Sequence, residues 1–289
     1  MSDPANTHGS DLPTPKRTPG DPEPEPAVVL NGVSLSSGSE SVWSDLNLTL
    51  PPVKTTLVMG PSGSGKSALL KVCAGLIPPD AGTVHLLGRN PATIGKAEER
   101  ELRRLCGFVF QDGALWQNLT VFQNLALPLD YHERTAGPAE TEDRVRRLAE
   151  AFGMQRRLHL RPAALSAGER KMVSFLRALC LDPQLLFLDE PTSVVDHRGA
   201  ELILKELREL KERGVTIVAS SHSARFVSQM ADHLVVLDAG MIAATGPFVE
   251  VVHGADRRLS EILSEVLGEA ASFDTDLLDL LSVDADADT

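Results

Sequence analysis

The stretch GPSGSGKS, residues 60–67, constrains the fold more than any other part of the sequence. It follows TTLVMG, an apolar run typical of a buried strand, and it opens SALLKVCAGL, a run with helical spacing. Glycines in such a turn allow backbone N–H groups to surround a polyphosphate, and the start of the following helix adds positive potential. This context predicts a phosphate-binding loop made of Gly60, Pro61, Ser62, Gly63, Ser64, Gly65, Lys66, Ser67 and Ala68.

Four side chains have the chemistry of triphosphate hydrolysis. Lys66 can reach the β- and γ-phosphates, and the Ser67 hydroxyl can ligate Mg²⁺. The run LLFLDE is an apolar strand that ends in two carboxylates. Asp189 is placed to hold Mg²⁺ directly or through water, and Glu190 can orient and polarise an attacking water. Together with the phosphate-binding loop, the acidic pair indicates a metal-dependent nucleoside triphosphatase.

Strands alternate with helices through the middle of the chain. Several of the predicted strands, such as QLLFLD and VTIVAS, are almost continuously apolar. Strands of this kind are typical of a largely parallel sheet that is covered by helices on both faces. With 289 residues, of which 42% are hydrophobic, the chain can bury a substantial core. The sequence therefore predicts an α/β fold.

Composition weighs against several other classes of protein. The net charge of −12 argues against broad nucleic-acid binding, which usually needs a basic surface. The three cysteines, Cys73, Cys106 and Cys180, lack metal-ligand spacing and fit a reduced cytosolic protein. No apolar run approaches the roughly 18 residues of a membrane span, and the first residues lack the apolar segment of a secretory signal. Any work at a membrane is expected to go through partner proteins.

Further motifs follow the phosphate-binding loop in a fixed order: GFVFQ, LSAGE, LLFLDEPTS and a histidine after the next strand. In this order and at these intervals they resemble the ATP-binding cassette (ABC) ATPases, over roughly residues 27–250. The resemblance implies a RecA-like P-loop NTPase core with a helical subdomain at about 112–185 and an antiparallel β edge. It also implies ATP and Mg²⁺ as nucleotide and metal, and ATP hydrolysis as the activity.

The stretch LSAGE resembles the family's signature sequence, which is commonly LSGGQ. In that family two cassettes meet head to tail, and the signature of one closes over ATP on the phosphate-binding loop of the other. The resemblance implies that Ser166 and the backbone around Ala167 and Gly168 contact the γ-phosphate held by a second copy. A helix N-terminus is a natural anion site.

Two residues of LSAGE depart from the family pattern. Ala167 replaces a glycine, and it permits the backbone contact if its φ is negative. Glu169 replaces a glutamine and is also counted among the nucleotide-binding residues. Its negative charge near a triphosphate is expected to lower affinity unless Arg170 and Lys171 offset it.

Three more residues match functional positions of the family. Gln111 matches the Q-loop residue, which implies that it senses Mg²⁺ and the attacking water. Asp196 in PTSVVD matches the D-loop aspartate at the dimer seam, and His222 in VASSHS matches the γ-phosphate contact of the H-loop. The mechanism implied is in-line attack of water on the γ-phosphate, with Glu190 orienting the water and Lys66 among the groups that stabilise charge.

One expected residue is missing. The family usually stacks an aromatic side chain on adenine about two dozen residues before the phosphate-binding loop, and this position falls near Ser37. Trp43 is the only aromatic residue nearby, and it lies where the family more often has an aliphatic packing residue. Adenine stacking, and with it a strict preference for ATP over GTP, is therefore not predicted.

The stretch FQDGALWQNLTVFQNLALPL, residues 110–129, is similar to the ATPases of MCE (mammalian cell entry) lipid transporters, including the bacterial maintenance-of-lipid-asymmetry system. In the family this region borders the groove that receives the coupling helix of the permease. The resemblance implies a phospholipid or other hydrophobic substrate, transmembrane permease subunits, an MCE-domain lipid-binding protein, and a place on the cytoplasmic face of the inner membrane. Two alternatives are a cassette for another substrate and a weakly hydrolysing regulatory subunit.

The two ends of the chain differ from its middle. Residues 1–26 are rich in Pro, Asp, Glu, Ser and Thr and are predicted to be disordered. The final segment, 251–289, forms an acidic tail, whose residues 259–289 contain nine acidic residues and no Lys or Arg. Within it, EILSEVLG and FDTDLLDLL have helically spaced leucines, which predict amphipathic helices. Docking of this tail on a partner or a second copy, and a plain solvated tail, both remain open.

Overall fold

The computed structural model describes residues 25–133 and 137–271, with side chains described as far as residue 264. Nearly all of the predicted disordered segment, and all of FDTDLLDLL, lie outside the described residues. In chain order the described elements are β1 (Val28–Ser37), β2 (Glu40–Leu50), β3 (Thr55–Met59), α1 (Lys66–Cys73), β4 (Ala81–Leu86), α2 (Lys96–Arg104), β5 (Cys106–Val109), α3 (Val121–His132), α4 (Pro138–Ala151), α5 (Ala167–Leu179), β6 (Leu185–Asp189), α6 (His197–Glu212), β7 (Thr216–Ser220), α7 (Ala224–Met230), β8 (His233–Asp238), β9 (Met241–Pro247), α8 (Phe248–His253) and α9 (Arg257–Ala271).

A six-stranded sheet forms the centre of the molecule, in the order β5-β6-β7-β3-β8-β9. All neighbouring pairs are parallel except β8 with β9. Side chains alternate between the two faces, so Leu57 and Met59 pack in one hydrophobic cluster while Val58 packs in the other. Every residue of β3, β6 and β7 is buried. The prediction of a largely parallel sheet covered on both faces is confirmed.

A second, antiparallel sheet has the order β2-β1-β4. In β2, Leu46, Leu48 and Leu50 are buried and the residues between them are exposed, as period-2 alternation predicts. This sheet shares a core with α1. The predicted antiparallel edge is confirmed, and it covers the helix that begins at the phosphate-binding loop.

Three helices lie between β5 and β6, and the first of them, α3, was not predicted individually. It begins with a capping box: the Thr120 side chain accepts from Gln123 N, and the Gln123 side chain accepts from Thr120 N. The sequence TVFQ carries this start signal. The short helices α7 and α8 were also not predicted, although Ser223 caps α7 by accepting from Phe226 N.

The acidic C-terminal segment begins with a helix that packs on the same chain. Ile262 and Leu263 of α9 are buried in the larger hydrophobic cluster, and Arg258 forms an ion pair with Asp238 at the end of β8. Ile262 and Leu263 of EILSEVLG therefore have a packing role within this chain.

Candidate nucleotide site

The phosphate-binding loop connects β3 to α1, and its glycines adopt conformations that other residues avoid. Gly60, Gly63 and Gly65 have φ values of 146°, 81° and 93°. A Cβ at position 60 would lie 2.1 Å from Leu237 O, and a Cβ at position 65 would lie 2.5 Å from Trp43 Nε1. Neighbouring backbone and a buried indole therefore fix the path of the loop.

Lys66 is the first residue of α1, and its side chain reaches back to the start of the loop. Its Nζ donates to Gly60 O at 2.8 Å and to Pro61 O at 2.9 Å. Burial lowers the pKa of Lys66, and the nearby carboxylates of Asp189 and Glu190 raise it. The ammonium thus has hydrogen-bond partners in the loop and lies within the field of the acidic pair.

Asp189 ends β6 beside the loop and is only 2% exposed. Its Oδ1 accepts from Ser67 Oγ at 3.0 Å and from Ser220 Oγ at 2.8 Å. Carboxylate and hydroxyl oxygens are the ligands that Mg²⁺ prefers, usually together with phosphate oxygens. Within the described residues, no group of three or more His, Cys, Asp and Glu side chains is arranged to hold a metal. The adjacent Ser67 hydroxyl and Asp189 carboxylate fit a Mg²⁺ ion that is bound together with a triphosphate.

Glu190 follows Asp189 in a left-handed conformation, with φ of 50°. Its Oε1 lies 3.3 Å from His222 Nε2, but the contact is not aligned as a hydrogen bond, and Oε1 is buried without a hydrogen-bond partner. The Oε2 atom accepts from His222 N at 3.4 Å. Burial raises the pKa of Glu190, and His222 opposes that rise. A carboxylate of raised pKa with a free oxygen is a suitable proton acceptor.

A cleft of about 570 Å³ brings all four predicted catalytic residues together with most of the phosphate-binding loop. Gly60, Pro61 and Ser64 belong to the loop but do not line the cleft. The predicted residues that do line it are Ser62, Gly63, Gly65, Lys66, Ser67, Ala68, Gln111, Asp189, Glu190 and His222.

Aliphatic and hydroxyl side chains form another part of the lining of this cleft. Leu35, Ser37, Val42 and Ile77 line it, and no aromatic residue of the described chain is among the lining residues of the cleft. Trp43 is 1% exposed and packs beneath Gly65. Trp43, the aromatic residue nearest Ser37 in the sequence, is therefore a core residue and not part of the cleft lining.

The other predicted nucleotide-binding residues lie elsewhere. Ser166, Gly168, Glu169 and Asp196 line a separate cavity of about 780 Å³ that shares no lining residue with the cleft. A Cβ at Gly168 would lie 2.8 Å from the backbone oxygen of Val194, so the signature and the segment before Asp196 pack closely. The structure thus separates the predicted site residues into two groups.

The signature forms the start of α5. Ser166 Oγ accepts from Glu169 N at 3.1 Å, and Glu169 Oε2 accepts from Ser166 N at 2.9 Å, which completes a capping box. Ala167 is the first helical residue and is not among the residues with positive φ, so it meets the condition that the sequence set for backbone contact.

The charge of Glu169 is offset by a residue that the sequence did not indicate. Arg157 Nε lies 2.7 Å from Glu169 Oε1. Arg170 and Lys171, which the sequence offered as a possible offset, make other contacts: Arg170 donates to Leu165 O, and the Lys171 ammonium donates to Phe110 O and Gln111 O. The pKa of Glu169 is lowered, first by the hydrogen bond from Ser166 N and also by Arg157.

Three contributing residues were missed from the sequence. Ser220 ends β7, the strand beside β6, so its place next to Asp189 follows from register once the strand order is known. Arg157 has no local signal, since it meets Glu169 from a different turn of the chain. Lys171 entered the sequence analysis only as a possible offset to the charge of Glu169, and it is buried.

A phosphate-binding loop, a buried aspartate beside its serine, and a following glutamate define a P-loop nucleoside triphosphatase. The family model described as ABC transporter matches residues 43–193. The chain is 32% identical over 240 residues to the intermembrane phospholipid transport system ATP-binding protein MlaF of Escherichia coli (strain K12), covering 83% of this chain and 89% of that protein. This chain therefore belongs to the ABC transporter ATP-binding family.

Other relatives carry different names. The chain is 34% identical over 242 residues to the sulfate/thiosulfate import ATP-binding protein CysA of Synechocystis sp., covering 83% of this chain and 66% of that protein. It is 36% identical over 209 residues to the methionine import ATP-binding protein MetN of Cereibacter sphaeroides, covering 72% and 59%. The chain spans less than two thirds of the length of these two relatives.

The fold matches a solved structure described as the dimeric post-hydrolysis state of an ATP-binding cassette bound to ADP and Pi. The TM-score is 0.70 at 28% identity, over 76% of this chain and 98% of that one. The predicted fold class, the ATPase activity and the use of ATP with Mg²⁺ are confirmed by family membership. In the part of the chain that the structure describes, no helix has the length and apolar content to cross a membrane.

Proposed function

We propose that two copies of this chain bind two molecules of Mg·ATP between them and hydrolyse ATP to power a membrane permease. The observation that carries this proposal is the separation of the site residues into two cavities. One cavity contains Lys66, Glu190 and His222, and the other contains Ser166 and Asp196. A head-to-tail pair of chains would bring the first set of one copy against the second set of the other, which makes each site complete.

In this proposal, each residue acts on the attack of water at the γ-phosphorus. Glu190 orients the water and accepts its proton at Oε1, the atom that is buried without a hydrogen-bond partner. The bond from the γ-phosphorus to the bridging oxygen breaks as the water oxygen bonds. Lys66, His222 and the partner copy's signature stabilise the charge on the phosphate oxygens. Ser67 and Asp189 would hold Mg²⁺, with Gln111 near it, and the ion would neutralise phosphate charge.

The permease is proposed to dock in a groove beside α3. Trp116, Leu127 and Tyr131 are exposed there by 57%, 38% and 56%, and Phe108 and Phe110 line the same groove of about 590 Å³. Exposed apolar side chains gathered in one place favour a protein interaction surface. The groove includes residues of the 110–129 stretch, and we assign α3, α4 and α5 to the helical subdomain at about 112–185 of an ATPase domain at 27–250.

We propose a phospholipid or other hydrophobic substrate, with an MCE-domain protein as a further partner. Support comes from the 110–129 stretch and from the relative named as a phospholipid transport ATPase. The relatives named for sulfate and methionine import keep another substrate as the alternative. In either case the chain would lie at the cytoplasmic face of the inner membrane, held there by the permease.

A regulatory subunit with weak hydrolysis is the second candidate. The altered signature favours it, but the pairing of Glu169 with Arg157 removes much of the reason to expect a defective signature. The intact set of Asp189, Glu190 and His222 supports the enzyme.

Glu190→Gln tests the proposed catalysis. The variant is expected to bind ATP, to form a stable dimer in ATP, and to hydrolyse about 10²- to 10⁴-fold more slowly, because the proton acceptor is lost. Steady-state phosphate release and size-exclusion chromatography with and without ATP measure both effects. The matched control is Glu212→Gln at the exposed end of α6. Full activity in Glu190→Gln would refute the assignment.

The proposed partners are tested by purifying the tagged chain from solubilised native membranes and identifying bound proteins and lipids by mass spectrometry. A permease with an MCE-domain protein and phospholipid is the expected result. A permease with a different binding protein would retain the ATPase and overturn the proposed substrate. Recovery without any membrane protein would favour the regulatory candidate.

A further inference from the structure

Lys171 is a charged side chain buried in the core of the cassette. It lies in α5, one turn after the signature, and is only 2% exposed. Its Nζ donates to Gln111 O at 2.6 Å, to Phe110 O at 2.9 Å and to Asp189 O at 3.3 Å. Burying a charge is costly unless hydrogen bonds compensate for lost water. The three hydrogen bonds therefore compensate for the burial of the Lys171 ammonium.

The contacts match the capacity of a protonated lysine. An ammonium has three N–H donors and no acceptor, and here three backbone carbonyls receive them. Burial lowers the pKa of Lys171, while Asp189, Glu190 and Asp112 raise it. The pKa of Lys171 is lowered overall by burial, and the three hydrogen bonds to carbonyl oxygens are the contacts that favour the charged form.

The three carbonyls belong to two segments that must be aligned for hydrolysis. Gln111 O and Phe110 O lie where the chain leaves β5 for the helical region. Asp189 O belongs to the peptide bond that leads directly to Glu190. The helix that carries Lys171 begins with Ser166 as its N-cap. One side chain thus joins the signature helix to the position of Gln111 and to the backbone of Glu190.

Arg177 is a second cation of α5, and its contacts differ from those of Lys171. Arg177 Nη1 donates to Ala114 O at 2.8 Å and Arg177 Nη2 donates to Gly113 O at 3.2 Å, so it holds the same connecting segment. These hydrogen bonds do not involve β6. Lys171 is therefore a hydrogen-bonded contact through which movement of α5 would reach the backbone of Glu190.

We propose that Lys171 is a positioning residue for ATP hydrolysis, which couples the signature helix to Gln111 and Glu190 of the same chain. Engagement of the signature by nucleotide bound to the second copy then sets the position of the catalytic carboxylate in the first. This inference rests on the proposed dimeric ATPase and adds a route by which the two sites communicate.

The test compares Lys171→Met, which keeps the length and removes the donors, with Lys171→Gln, which keeps an N–H donor. Nucleotide Kd, kcat, KM, the Hill coefficient and Tm are measured for each, with the exposed Lys205→Met of α6 as the control. Lys171→Met is expected to keep the nucleotide Kd within about twofold. Its kcat should fall about tenfold to a hundredfold, since small misplacements of catalytic groups have effects of this size. The Hill coefficient should fall towards one, and Lys171→Gln should recover part of kcat.

Wild-type kcat and cooperativity in a folded Lys171→Met would overturn the inference. A raised nucleotide Kd together with a lowered kcat would also overturn it, because that combination indicates general damage to the fold. If Lys171→Met does not fold, the same comparison is made with Lys171→Gln, where reduced kcat at unchanged Kd is required. Wild type and Glu190→Gln are measured alongside. If wild type does not hydrolyse ATP and Glu190→Gln does not form an ATP-dependent dimer, the proposed function is refuted instead.

Discussion

The phosphate end and the base end of the nucleotide cleft differ in how closely the protein specifies them. At the phosphate end, Gly60 and Gly65 leave no room for a Cβ, and Asp189 is buried between two hydroxyl groups. At the position proposed for the base, the lining includes exposed Ser37 and partly buried Ile77. The chain therefore fixes the backbone and the carboxylate around the position proposed for the reacting phosphate, while aliphatic and hydroxyl side chains line the position that we propose for the base. Nucleotide affinity is expected to depend mainly on the triphosphate.

Removing the cation of the phosphate end should have the largest effect. Lys66→Ala is expected to lower kcat for ATP hydrolysis about 10²- to 10³-fold, because a charged donor to the phosphate oxygens is lost. Steady-state phosphate release measures this change. Lys54→Ala, at an exposed position before β3, is the control. Hydrolysis at the wild-type rate in Lys66→Ala would contradict the view that the phosphate end determines the chemistry.

Adding an aromatic ring should make the base end more specific. Ser37→Tyr is expected to tighten ATP binding by about 1 kcal/mol, or about fivefold in Kd, through stacking on the base. GTP should tighten similarly because every base has a π-face. Fluorescent-nucleotide titration measures both values, and Ser39→Tyr in the adjacent turn is the control. If Ser37→Tyr leaves both Kd values unchanged, the base does not lie where this comparison places it.

The smallest effect is expected at the signature. In the proposed dimer, the signature of one copy would complete the phosphate end of the cleft in the other. Arg157→Ala exposes the charge of Glu169 and should raise KM for ATP about twofold to fivefold, the range of a partly exposed ion pair. Adding Glu169→Gln should restore the wild-type KM, because the uncompensated charge is then removed. Steady-state kinetics of the single and double variants measure this. Equal KM values in wild type and Arg157→Ala would mean that the pair has no part in binding ATP.

Much of the fold and part of the site could be predicted because their signals are local. The phosphate-binding loop, the apolar strands and the acidic pair each occupy a few consecutive residues, and period-2 alternation identified β2. The helix α3 was missed because Asn124 is buried within it, where its side chain donates to backbone carbonyls of the preceding turn and accepts from Trp116 N. A buried asparagine weakens the contrast between apolar and polar faces on which helix prediction depends.

The contacts that the sequence did not indicate join residues from different elements. Arg157 reaches Glu169 from a 3₁₀ turn, and Ser220 meets Asp189 across neighbouring strands. Neither pair has a characteristic spacing. Lys171 shows the limit most clearly, because lysine is among the residues least often buried and only the fold reveals the carbonyls that receive it.

The position of Trp43 beneath Gly65 has a practical consequence. The chain contains two tryptophans, and the other, Trp116, is exposed in the groove assigned to the permease. One indole therefore touches the phosphate-binding loop and the other lies on the proposed docking surface. Replacing either with phenylalanine leaves a protein with a single tryptophan, whose fluorescence can be excited selectively over that of the one tyrosine. The order in which nucleotide and permease bind can then be followed in time, without any added label.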